Sequence, residues 1–85
     1  MIQYNDYRGL PVACVTRDGA TILDDECTPH YKAGDYRTKC ETVKGFDAEQ
    51  EVWKLTGKAG LRLSDLSPEQ REKYRAKATK AIKGL

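Results

Sequence analysis

Eighty-five residues are enough to bury one small core but not two, so residues 1–85 read as a single domain. With 39% hydrophobic and 33% charged residues and a mean hydropathy of −0.74, the chain is globular but very polar. The net charge of +2 hides an asymmetry: residues 1–50 hold six Lys/Arg against nine Asp/Glu, and residues 51–85 nine against four. Such a division either steers a charged partner or lets the two halves neutralise each other in the fold, and the second is the simpler expectation.

The first clear element is the β-branched run 10–16, Leu-Pro-Val-Ala-Cys-Val-Thr, with Pro11 at its start where a missing N–H does little harm. Arg17-Asp18-Gly19-Ala20 and then Thr21-Ile22-Leu23 follow. A two-residue Asp-Gly turn supplies the positive φ of a tight hairpin and sets Thr16 opposite Thr21, Val15 opposite Ile22 and Cys14 opposite Leu23. The charge run Asp24-Asp25-Glu26 is expected to close the second strand. Residues 28–32 and 36–43 then read as two further strands around Ala33-Gly34-Asp35, with Tyr36, Thr38, Cys40 and Thr42 facing inward.

At residue 46 the period changes from two to 3.6. Residues 46–57 read as a short helix capped by Asp47, with Gln50 reaching back and Gly57 closing it. Ala48, Val52 and Leu55 share one face, with Trp53 beside them, and a linker carrying Leu61, Leu63 and Leu66 follows. The last helix has the strongest start signal: Ser67 as cap, Pro68 at the first position, Glu69 on the dipole and Gln70 completing a capping box. Tyr74, Ala78, Ala81, Ile82 and Leu85 form its apolar stripe. The expected fold class is therefore α+β, a small antiparallel hairpin or meander of three to four strands (β-rich 1–45) followed by two helices (helical 46–85).

Catalysis has little to work with. His30 is the only histidine, and Ser64 and Ser67 read as turn and cap residues. Thr56-Gly57-Lys58 resembles part of a phosphate loop, but Val52 stands where that loop needs glycine and Ala59 where it needs Ser or Thr. The reading is a non-enzyme without a cofactor, unless Cys14, Cys27, His30 and Cys40 converge: three thiolates and an imidazole suit zinc, and a metal would stabilise so small a domain. The same cysteines also fit as small inward-facing hydrophobes.

Two binding readings remain. A protein partner is the first, because Tyr, Trp and Arg dominate interface hot spots. The chain has five tyrosines besides Trp53 and Phe46, and Tyr31, Tyr36 and Arg37 lie in a candidate surface loop. Tyr7 and Tyr74 read instead as cover for a thin core. Nucleic acid is the second, through Lys73, Lys77, Lys80 and Lys83 of the basic last helix. No apolar run is long enough to span a bilayer. The start Met1-Ile2-Gln3-Tyr4-Asn5-Asp6 lacks a leader's basic and apolar regions, so the expected location is cytoplasmic with reduced thiols and no membrane partner.

Overall fold

The computed structural model describes residues 2–32 and 40–85. Four strands, β1 (Ile2–Asp6), β2 (Pro11–Val15), β3 (Thr21–Leu23) and β4 (Cys40–Val43), form one sheet in the order β3-β2-β1-β4. Three helices complete the fold: α1 (Asp24–Lys32), α2 (Ala48–Thr56) and α3 (Pro68–Lys83), with a 3-10 turn at Leu63–Asp65. The class is α+β, as the sequence suggests, but the sheet is mixed. β1–β2 and β2–β3 are antiparallel, whereas β4 lies parallel to β1.

Both hairpins use three-residue loops. In the first, Asp6 N–H donates to Leu10 O and Gly9 N–H to Asp6 O, with Gly9 at φ 89. In the second, Thr16 and Ala20 exchange the equivalent bond, Gly19 N–H donates to Thr16 O, and Gly19 sits at φ 87. A turn closed by a left-handed glycine adds one loop residue to the two-residue turn expected from Asp18-Gly19. The register moves with it, and Ala13 faces Leu23, Cys14 faces Ile22 and Val15 faces Thr21. Thr16 Oγ1 holds the loop by bonding Asp18 and accepting from Ala20 N–H.

That one-residue shift decides which side chains share a face, because neighbours along a strand point to opposite sides. Ala13 and Leu23 join the main core, with Val43, Phe46, Val52, Leu66, Tyr74, Ala78 and Ile82 from β4, α2 and α3. Cys14 and Ile22 pack with Cys27 and Tyr31 of α1 in a second cluster on the other face.

Several expectations change here. β3 ends at Leu23, where the Asp24-Asp25-Glu26 run begins, but the run does more than close the strand. It forms the first turn of α1, where carboxylates suit the positive end of the helix dipole. Residues 28–32 are therefore helical despite Pro29, and the described residues hold three helices rather than two. Cys40 and Thr42 of β4 are exposed instead of inward-facing, while Val43 is buried. Residues 36–39 of that expected strand lie outside the described residues.

Cys14 and Cys27 form a disulfide between β2 and α1, with Cα atoms 6.3 Å apart, a span that suits such a bond. Cys40 is exposed and takes no part in that bond. This replaces the expectation of three reduced thiols. One accessible thiol should titrate in the folded protein and three after reduction and unfolding.

The capping residues match expectation, with a two-way capping box at α3 and a single Asp47 bond at the start of α2. Asp47 accepts from Gln50 N–H at 2.9 Å, Gly57 closes α2 at φ 70, and Ser67 and Gln70 make both bonds of the capping box. Tyr74, Ala78 and Ile82 are buried, but Leu85 lies past the helix end and is exposed.

Asp6 is buried to 1% exposure and joins the sheet to α2. Its Oδ1 accepts from Arg8 N–H at 2.8 Å and Leu10 N–H at 2.9 Å, and Oδ2 accepts from Ala48 N–H at 3.3 Å. Asp6→Ala leaves these donors unsatisfied and should lower unfolding free energy by ~3 kcal/mol in urea titration, with Asp6→Asn losing less.

Candidate functional site

The loop that Asp6 organises carries Tyr7 and Arg8 outward. Tyr7 is 60% exposed, against the expectation that it covers the core, and Trp53 on α2 is 52% exposed. Arg8 lies between them. Its guanidinium stands 5.7 Å above the Tyr7 ring, pairs with Asp47 at 2.5 Å and Glu49 at 3.2 Å, and lies 3.6 Å from the Asp6 carboxylate. Tyr7 OH donates to Asp47 Oδ2 at 3.4 Å. Arg8 and Trp53 border a shallow depression of about 210 Å³ with Asp47, Glu49, Gln50 and Ala59.

Each part of this surface follows from local structure. Gly9 permits the sharp return that leaves Tyr7 and Arg8 at the tip. Asp47 caps α2 through one oxygen and bonds Arg8 and Tyr7 as well, so the helix start and the loop hold each other. Trp53 follows the buried Val52 along α2, which places it on the outer side of that helix. A Tyr–Arg–Trp surface whose arginine is held by two carboxylates loses little side-chain freedom on binding.

The residues expected to act are arranged differently. Tyr31 is half-buried in α1 with its hydroxyl 3.2 Å from Cys14 Sγ, so it packs on the disulfide. Tyr36 and Arg37 lie outside the described residues. Phe46 is buried edge-on against Tyr74, with ring centroids 5.9 Å apart, and offers nothing to a partner. The four residues of the zinc reading do not converge. The disulfide uses Cys14 and Cys27, and Cys40 lies on β4 with Sγ 3.8 Å from Gln3 Oε1. Among the described residues no three His, Cys, Asp or Glu side chains form a metal-holding group.

The basic helix is largely answered by acids, from α1, α2 and its own first turns. Arg71 pairs with Asp25 at 3.2 Å and Glu26 at 2.9 Å, and Arg75 with Glu26 at 3.1 Å. Lys77 pairs with Glu51 at 3.0 Å and Lys73 with Glu69 at 3.7 Å. Among the described residues Lys80 and Lys83 have no acidic partner. They border an open depression on the outer side of α3 with Arg75 and Glu72.

The Tyr7–Arg8 surface is hard to read in the sequence because the alternation Ile2-Gln3-Tyr4-Asn5 covers only four residues. The parallel spacing Asp6-x-x-Gly9-Leu10 and Thr16-x-x-Gly19-Ala20 was the available signal of a second hairpin. Neither a protein-family model nor a curated protein nor a solved structure matches the chain.

Glu51 couples α2 to α3. Burial alone would raise its carboxyl pKa, but the Lys77 and Lys54 ammonium groups outweigh that and hold it below the ordinary value. A depressed carboxylate contributes its stability above the unfolded-state pKa and loses it as pH falls through the folded-state value. Glu51→Gln should therefore cost ~1 kcal/mol near neutral pH, with the difference from wild type closing in acid, as read by urea unfolding at both pH values.

Proposed function

We propose that the protein is a non-enzymatic binding protein whose partner is another protein, engaged through Tyr7, Arg8 and Trp53. The observation that carries this reading is the juxtaposition of Tyr, Arg and Trp, the residue types most enriched among hot spots, on one exposed surface. Exposed Leu10 lies beside it. Asp47 and Glu49 at its rim favour a partner with a basic face. A role as adaptor, inhibitor or regulatory factor acts by contact alone and needs no acid–base pair.

Nucleic acid is the weaker reading. It is favoured by Lys80 and Lys83, which have no acidic partner among the described residues, but Lys73 and Lys77 are already engaged. No helix among the described residues is long and apolar enough to cross a membrane. The Cys14–Cys27 bond counts against the reduced cytosol expected from the sequence, because structural disulfides persist in oxidising surroundings.

Affinity purification from the native host, with crosslinking to confirm direct contact, should recover a stoichiometric protein partner. Tyr7→Ala and Trp53→Ala should each weaken it by about 30-fold or more, while Lys80→Ala with Lys83→Ala leaves it unchanged. Loss with the lysine variant alone, together with salt-sensitive RNA or DNA binding, would replace the protein reading with the nucleic-acid one.

A further inference from the structure

On the other side of α2 from Trp53 lies a deeper cleft of about 460 Å³. It opens between the β1–β2 loop, the start of α1, α2 and the 60–64 segment. Leu10, Val52, Leu61 and Leu63 supply apolar walls, Asp24, Asp25, Glu49 and Arg62 the charge, and Tyr74 part of the lining.

Two groups here lack what burial normally demands. Tyr74 is fully buried, yet its hydroxyl has no hydrogen-bond partner among the described residues. Burial, reinforced by the charges of Asp6, Asp24 and Glu51, pushes its pKa up, so the hydroxyl stays neutral and its oxygen can accept. Asp24 is half-buried and has no cationic partner among the described residues. Its neighbours do: Asp25 is bonded by Arg71, and Glu49 by Arg8. Burial and the charge of Asp25 raise the Asp24 carboxyl pKa, as expected of a carboxylate lacking its counter-charge.

A cation satisfies both groups. One unpaired carboxylate is too few for a divalent metal, which needs several oxygen ligands. An ammonium donates up to three hydrogen bonds, and its methylene stem suits walls of Leu and Val. Glu49 borders both this cleft and the Arg8–Trp53 depression, so a chain seated on one surface reaches the other. Arg62, the one base in the lining, is exposed at the rim.

We propose that this cleft receives a lysine side chain of the protein partner, its ammonium set against Asp24 and the Tyr74 hydroxyl and its methylenes along Leu10, Val52, Leu61 and Leu63. The assignment rests on the protein-binding reading above and extends it from a surface to a specificity pocket.

The probe is N-acetyl-lysine N-methylamide, titrated into isotope-labelled full-length protein, with the norleucine counterpart as uncharged control. Amide shifts should cluster around Asp24, Val52 and Tyr74 and saturate in the millimolar range. The norleucine compound should bind at least about tenfold more weakly. Asp24→Asn and Tyr74→Phe should each weaken the lysine compound by about tenfold. Tyr74→Phe removes an unsatisfied hydroxyl, so its Tm should hold or rise, which separates lost binding from lost folding. Equal binding of the two compounds, no shifts at the cleft, or unchanged binding in both variants overturns the proposal. The partner assay separates the two readings. If Tyr7→Ala and Trp53→Ala release the partner while Asp24→Asn and Tyr74→Phe do not, the cleft assignment falls and the interface stands. If none of the four releases it, both fall.

Discussion

Asp6 is a carboxylate taken almost wholly out of water, and such a group is tolerated only where hydrogen bonds replace its hydration. Here the replacements come from two elements far apart in sequence: the amides of Arg8 and Leu10 in the first hairpin loop and the amide of Ala48 at the start of α2. The geometry of one loop and the position of one helix are therefore set by the same carboxylate. Arg8 adds its guanidinium to the far side, at 3.6 Å, and carries the link on to Asp47, which itself caps α2. The exposed Tyr7–Arg8–Trp53 surface is the outward consequence of this buried arrangement, since its residues come from the loop and helix that Asp6 and Asp47 lock together.

Charge organises the remainder. The acidic first half and basic second half meet as ion pairs where Arg71 and Arg75 bind the acids of α1, and Lys77 adds a pair within the second half on Glu51 of α2. Exposed pairs of this kind contribute little individually. Together they decide which surface of α3 faces its neighbours and leave Lys80 and Lys83 on the outside. Asp24, like Lys80 and Lys83, has no ion-pair partner among the described residues, and it lines a cleft with Tyr74, whose hydroxyl is also unpartnered there.

Local signals were legible wherever the physics is local. Ser67, Pro68 and Gln70 announce α3, and Asp47 and Gly57 bracket α2, because capping bonds span only three or four residues. The β2–β3 hairpin was readable from its apolar run and Gly19, but its register was not. A two-residue and a three-residue loop use the same Asp-Gly pair, and the Thr16 side chain helps hold the longer one. Helix α1 reads poorly as a helix, with Pro29 inside it, and is held by packing and by the Cys14–Cys27 bond.

What the sequence by itself determined is the α+β class, the two capped helices, the stripe of Tyr74, Ala78 and Ile82, and the charge division between halves. Each follows from residue type and short-range spacing. Tertiary structure alone decided the parallel pairing of β4 with β1, the disulfide, and the neutralisation of most of the α3 charge. It also brought Tyr7 and Arg8 beside Trp53, and Asp24 beside Tyr74. These depend on contacts between residues 13 to 50 positions apart, where the competing arrangements differ by packing and solvation that no local pattern encodes.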